Sequence, residues 1–351
     1  MSSGAMKAPA RTRVPSAPAP APGPARPRSG GWLLPSLLGV AAAIVANDVL
    51  ARAMVRRHPP RGRFITVDGT TLHVIERGGG PPVLLLHGNG AMAQDFVASG
   101  LVDRLAVGHR VIVPDRPGFG HSPRPRGLWT AKSQARLFAA ALASLGVKRA
   151  VVVGHSWGVL PALELALEQP GRVSALVLVS GYYHPTLRLD VPLMSLAAVP
   201  LLGGLLRHTV LPPLGWLLRR KMLGMLFAPA GITARFDALF PFGLSLRPSQ
   251  LRATAMDTAT MLPATAALFR RYERLTLPVA IVGGTGDRVV DFDTQSRWLH
   301  QRLPQSRLHP IEADGHMPHH TEPALVADIV TQAVREAGER DVRAAAMPST
   351  A

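Results

Sequence analysis

Ala150-Val151-Val152-Val153-Gly154-His155-Ser156-Trp157-Gly158-Val159-Leu160-Pro161-Ala162-Leu163-Glu164-Leu165-Ala166-Leu167 is the stretch that decides the fold. It opens on a β-branched apolar run, closes on a helical pattern, and holds Gly-x-Ser-x-Gly between them. A strand, a sharp turn and a helix in that order force the serine into a strained backbone, and only small residues let strand and helix pass so closely. The hydroxyl is then held up at the end of a sheet, with a helix N-terminus behind it to stabilise negative charge. Ser156 therefore reads as a nucleophile. The pentapeptide alone arises by chance in many proteins, so the flanking strand and helix carry the reading.

Outward from this point the chain alternates strands with helices. Phe64-Ile65-Thr66-Val67, a turn at Asp68-Gly69, and Thr71-Leu72-His73-Val74-Ile75 read as a β-hairpin. Pro82-Val83-Leu84-Leu85-Leu86 and Arg110-Val111-Ile112-Val113-Pro114 are short apolar runs, as strands buried on both faces should be. Similar runs recur at 175–179, 278–282 and 307–311, with helical patterns at 131–145, 292–303 and 323–337. The fold class expected is α/β, with a mostly parallel central sheet, helices on both faces and ligands at the carboxyl ends of the strands.

Four loops fall at such ends. His87-Gly88-Asn89-Gly90 is a glycine-rich turn whose Asn89 amide N–H can face a developing oxyanion, with the Trp157 amide as second donor. The Asn89 side chain is a further donor that the sequence neither includes nor excludes. Asp115-Arg116-Pro117-Gly118-Phe119-Gly120-His121-Ser122 reads as a tight structural turn in which Asp115 and Arg116 hold neighbouring loops. Gly283-Gly284-Thr285-Gly286-Asp287 delivers a carboxylate that can fix the tautomer of an imidazole. Asp291 is the alternative, and the glycine-rich turn favours Asp287. Asp314-Gly315-His316-Met317-Pro318-His319-His320 offers three histidines, of which His316, following Gly315, is the best base. His319 and His320 read as a solvated pair. A histidine cluster also raises a metal, but there is no HExxH and no cysteine, and no metal or organic cofactor is expected. The order Ser156, Asp287, His316 is one of those known for a nucleophile, acid and base.

Charge and composition narrow the classes. With 351 residues the chain can hold one large α/β domain plus an insertion or tail. Cysteine is absent, which excludes disulfides and thiolate chemistry and leaves the redox compartment open. Of the net charge of +17, residues 1–63 carry ten Lys/Arg against the single acid Asp48. The rest is mildly basic with scattered arginines, so no nucleic-acid partner is expected. Residues 1–31 are a basic, Pro/Ala-rich tail expected to be disordered. Residues 32–51 form an apolar segment that is charge-free until Asp48, followed by a basic linker at 52–63. Sixteen residues from Trp32 to Asn47 fall short of the ~20 that span a bilayer comfortably. A membrane anchor, a cleaved secretory signal and a helix packed on the domain all fit. The first makes the protein membrane-associated, with secreted or periplasmic and cytoplasmic locations as alternatives. Basic residues flank both ends and choose no topology.

Taken together and in order, the His87–Gly90 loop, the Asp115–Ser122 turn, Gly154–Gly158, Gly286-Asp287 and Gly315-His316 resemble the α/β-hydrolase superfamily, in its cap-containing, lipase/esterase-like members. The resemblance covers about residues 64–337 and leaves 338–351 as a tail. It implies Ser156 as nucleophile, Asp287 as acid and His316 as base, with the Asn89 and Trp157 amides as oxyanion hole and Gly88 and Met317 lining the substrate site. Related branches acting on haloalkanes or epoxides carry an aspartate where this chain has Ser156. The fold also hosts cofactor-free haloperoxidases or perhydrolases, carbon–carbon bond hydrolases and non-catalytic binding proteins. Residues 183–275 break the βα alternation and read as an inserted cap of several short helices, rich in Leu and Met and poor in acids. That composition suits an apolar substrate, or contact with lipid, or plain packing of the cap. The Arg219-Arg220-Lys221 cluster reads as solvated. The activity expected is hydrolysis of a small apolar carboxylic ester, thioester or amide through an acyl-enzyme.

Overall fold

The structure is a computed structural model that describes residues 33–346 together with Ala8 and Ala10. The tail expected to be disordered, and residues 347–351, otherwise lie outside the described residues. By compactness the chain divides into Met1–Ala41 and Ala42–Ala351. The first unit contributes the opening turns of one helix, and the second holds the sheet and the cap.

Eight strands form one sheet: β1 (Arg63–Val67), β2 (Thr70–Arg77), β3 (Pro82–Leu86), β4 (Arg110–Pro114), β5 (Ala150–His155), β6 (Val173–Val179), β7 (Val279–Gly284) and β8 (Ser306–Ile311). Their order is β1-β2-β4-β3-β5-β6-β7-β8. β1, β2 and β4 pair antiparallel and every other pair is parallel. The expected hairpin is present, with Asp68 and Gly69 both at positive φ, the geometry of a two-residue turn between twisted strands. Strand alternation then divides the core. Leu84, Leu86, Val152 and Leu176 face one helical layer, while Val83, Leu85, Val151 and Val153 face the other.

The helices are α1 (Leu33–Arg57), α2 (Gln94–Ser99), α3 (Leu101–Leu105), α4 (Ala131–Ser144), α5 (Val159–Glu168), α6 (Asp190–Ser195), α7 (Leu202–His208), α8 (Leu211–Phe227), α9 (Ala234–Leu239), α10 (Phe242–Ser245), α11 (Pro248–Leu268), α12 (Trp298–Arg302), α13 (Pro318–Thr321) and α14 (Pro323–Ala346). Helices α4, α5 and α12 cover the first face and α2, α3 and α14 the second. Between β6 and β7, helices α6–α11 form the insertion.

Four expectations need adjusting. The cap is not uniformly built of short helices, since α8 runs 17 residues and α11 runs 21. Pro212 and Pro213 sit in the first turn of α8, where a missing N–H breaks no helical bond. The region 292–303 is a π-helical segment, Asp293–Arg297, continuing into α12. Helix α14 continues beyond 337 to Ala346. Helix α1 takes in much of the expected basic linker, ending at Arg57.

Candidate active site

Ser156 follows β5 directly and adopts a φ of 52°, a left-handed conformation that a side chain makes costly. Two glycines give it room. A Cβ on Gly158 would lie 2.2 Å from the Leu86 carbonyl oxygen, and one on Gly154 would lie 2.7 Å from that of Gly158. The serine is half-buried at the head of α5.

Around it the two other expected groups converge. His316 Nε2 lies 2.9 Å from Ser156 Oγ, and His316 Nδ1 lies 2.7 Å from Asp287 Oδ2. The second carboxylate oxygen of Asp287 accepts from the Val289 and Val290 N–H groups at 2.8 and 3.0 Å. One oxygen is thus fixed by backbone and the other aimed at the imidazole. Asp291, the alternative acid, instead caps the following helical segment through Thr294. His316 is held from two sides. Its own N–H donates to Leu226 O in the cap at 3.1 Å, and its carbonyl accepts from His155 Nε2 at 3.0 Å. Burial, with His319 and His316 nearby, keeps the His155 imidazole well below its usual range, so it is the neutral Nε2–H donor this bond requires.

The Asn89 and Trp157 N–H groups donate to no carbonyl among the described loop contacts. The Asn89 side chain, however, is committed. Its Nδ2 donates to Thr254 O at 3.1 Å and Thr258 Oγ1 at 2.9 Å, both on α11, and its Oδ1 accepts from Gly90. That leaves its backbone as the donor free to face a ligand. Gly88 is packed against the nucleophile, since a Cβ there would lie 3.2 Å from Ser156 Cβ. Met317 is buried among Leu223, Phe227, Phe236, Phe242 and Leu246, a cluster joining the His316 loop to the cap.

Asp115 and Arg116 do hold loops together. Asp115 accepts from Ala93 N, His121 N and His73 Nδ1. Arg116 is fully buried between the Phe119 and Trp157 rings and donates to His87 O, Gly88 O, Gln134 and Asp257. Asp257, inside α11, was not foreseen. It pairs with Arg116 at 2.5 Å and Arg124 at 3.0 Å, and its carbonyl accepts from Trp157 Nε1. Its only sequence signal is an acid set among Ala, Thr and Met.

His319 and His320 are not a solvated pair. Both are buried, and each donates Nε2–H to one oxygen of Asp95 at 2.9 Å. Burial pushes the Asp95 carboxyl up, but the two facing imidazoles outweigh it and hold it well below its usual range. Burial likewise holds His319 down at about 4 against the pull of Asp95. These three side chains could between them ligate a metal. The two Nε2–H bonds to Asp95 pin α13, immediately after His316, to α2.

Comparison with known proteins identifies the fold family. The family profile of the alpha/beta hydrolase fold matches residues 81–323. An uncharacterized protein of Mycobacterium tuberculosis is 30% identical over 280 residues, covering 78% of this chain and 80% of its own length. Among solved structures, a thermophilic esterase from Thermogutta terrifontis superposes with a TM-score of 0.66 at 23% identity, over 79% of this chain and 99% of its own. A membrane phospholipase A, described as a bacterial virulence factor, gives a TM-score of 0.62 at 22% identity, over 87% of this chain and 97% of its own. Sheet order, strained serine turn and family profile coincide, and the chain belongs to the α/β-hydrolase fold family as one of its enzymes.

Proposed function

We propose that the protein is a serine hydrolase of small apolar carboxylic esters, with thioesters and amides as chemically related substrates. The observation that carries this reading is the unbroken line from Asp287 through His316 to Ser156, at 2.7 and 2.9 Å. In the resting state His316 keeps its Nδ1 proton toward Asp287, and its Nε2 accepts from the serine hydroxyl. Attack of Ser156 Oγ on the ester carbonyl passes the hydroxyl proton to His316 Nε2, and Asp287 stabilises the imidazolium formed. The Asn89 and Trp157 N–H groups receive the tetrahedral oxyanion. His316 returns the proton to the leaving alcohol, and water then enters by the same route to release the acid. Every step uses side chains and backbone alone.

An apolar substrate is favoured by the Leu- and Met-rich, acid-poor composition of the cap, onto which the His316 loop packs through Met317. Gly88 lies against the nucleophile. The enzyme is membrane-associated in this reading, because α1, which contains most of residues 32–51, is long and apolar enough to cross a bilayer.

The test is intact mass after treatment with a fluorophosphonate. Wild type gains a single adduct, Ser156→Ala gains none, and His316→Ala reacts far more slowly. A folded wild-type protein that gains no adduct would overturn the reading. A substrate panel of esters, peracid formation and carbon–carbon cleavage then separates the reactions that this triad can support.

A further inference from the structure

The cap carries an apolar surface that the protein itself leaves uncovered. Among the described residues, seventeen large apolar side chains between Leu187 and Leu239 are exposed, against five scattered over the α/β body. The most open are Leu201 at 92%, Leu187 at 86%, Leu189 at 81%, Leu217 at 79% and Leu193 at 72%. A water-soluble surface rarely gathers so many, since each exposed apolar contact disfavours the dissolved monomer. The charge pattern leans the same way. From 191 to 236 there is no Asp or Glu, while Arg207, Arg219, Arg220, Lys221 and Arg235 are present; Asp237 serves both Arg219 and Arg220, and Asp103 pairs with Arg235. Trp216, half-exposed on α8, has the amphipathic ring that settles at a membrane–water boundary.

Helix α1 identifies the occupant. From Ala42 onward its half-buried positions are Ala43, Ile44, Asn47, Asp48, Ala51, Ala53, Met54 and Val55, all but Ala53 on a single helical stripe. That stripe is pinned to the cap. Asn47 Nδ2 donates to His208 O at 2.8 Å and Thr209 O at 3.1 Å, and Asp48 pairs with His208 Nδ1 at 3.0 Å. Met54 lies against Gly243 and Trp216. The opposite side exposes Val45, Val49 and Leu50, then Arg52, Arg56 and Arg57. A helix with the length and composition of a membrane span is thus fastened to the apolar cap by side chains, with no linker between them. A bilayer that receives this helix receives the cap with it.

We propose that the outward face of α6–α8, together with the outward side of α1 beyond Ala42, is a membrane-docking surface. Its leucines and methionines seat at the headgroup–acyl boundary, and its cations, which outnumber the nearby carboxylates Asp237 and Asp103, meet anionic headgroups. The surface is independent of the chemistry at Ser156.

The chain has no cysteine, so single cysteines can be introduced on it for labelling. The full-length protein would carry an environment-sensitive fluorophore at Leu217→Cys or Leu193→Cys, with Val107→Cys, 90% exposed on the body, as reference. Each is reconstituted into vesicles of phosphatidylcholine and phosphatidylglycerol, with and without nitroxide-bearing lipids. The expected result is a shift to shorter wavelength and nitroxide quenching at 217 and 193, with neither at 107. Quenching at none of the three, in vesicle-bound protein, overturns the proposal, because α1 would then be anchored while the cap stays in water. A wavelength shift at 217 and 193 that grows with protein concentration and ignores the nitroxide lipids also overturns it, and assigns the face to a second copy of this chain.

Discussion

In the proposed mechanism Ser156 and His316 each depend on a neighbouring residue that does no chemistry. The serine needs Gly158, whose hydrogen lies where any Cβ would strike the Leu86 carbonyl. Gly158→Ala is therefore expected to lose both activity and soluble expression, since neither β3 nor β5 can retreat from a two-sided core. Ser156→Ala changes no packing, so its melting temperature should stay within a degree or so of wild type while kcat falls by about 10⁴-fold or more. Asp287→Asn would reverse the hydrogen-bond preference at His316 Nδ1, present the wrong tautomer to Ser156, and lower kcat by about 10⁴. Hydrolysis of a chromogenic ester alongside thermal melts checks all three. A triad mutant with near wild-type kcat would remove that residue from the mechanism. These residues were legible because glycines mark the places where chain meets chain. The role of His155 was not legible: between a glycine and the nucleophile it reads as filler, and only the fold brings His316 O to its Nε2.

At the scale of elements, α11 matters most to the site. It reaches over the oxyanion loop and makes three kinds of contact there: Thr254 and Thr258 with Asn89, Asp257 with Arg116, and the Asp257 carbonyl with Trp157. Both members of the Arg116–Asp257 pair are fully buried, so removing one leaves an uncompensated charge. Asp257→Ala is expected to cost about 3–5 kcal/mol, read from urea denaturation. Asn89→Ala removes three neutral bonds and should cost about 1–3 kcal/mol. Because its backbone donor is retained, it should affect kcat less than Asp287→Asn does. A kcat loss as large as that of Asp287→Asn would show that the side chain, and not the backbone, serves the oxyanion. The sheet, the loops carrying Ser156, Asp287 and His316, and the presence of a cap were readable because strand runs, glycine turns and a break in βα alternation are local signals. How the cap grips the site was not, because α11 is an Ala/Thr-rich helix with weak amphipathic pattern and an internal Pro263. Its buried face is set by partners more than a hundred residues away. The same distance hid Asp95, whose two imidazoles lie over two hundred residues further along.

Across the whole molecule, the buried histidines govern how folding responds to acid. Burial pushes His87 down to about 3 and His319 down to about 4, and keeps His155 well below its ordinary range. In the unfolded chain each titrates at about 6.5. The folded values are depressed, so on acidification the unfolded chain takes up these protons first. Stability from the three is complete above about pH 6.5 and declines as pH falls toward the folded values. Asp95 and Asp115 are also held below the carboxylate range, so their contribution is lost only below about pH 4. Between pH 6 and pH 4.5 the depressed histidines destabilise the fold on acidification, with His58, His109, His121 and His309, also held below their ordinary range by burial, acting in the same direction. The melting temperature should be flat from pH 8 to 7 and drop steeply below pH 6. His319→Gln removes one titrating group and can keep an N–H toward Asp95, so its melting temperature should fall less steeply than that of wild type over the same window. A wild-type melting temperature that does not change between pH 7 and pH 4.5 would mean that these imidazoles are protonated in the fold, and the Nε2–H donation to His316 O would have to be reassigned to a cation.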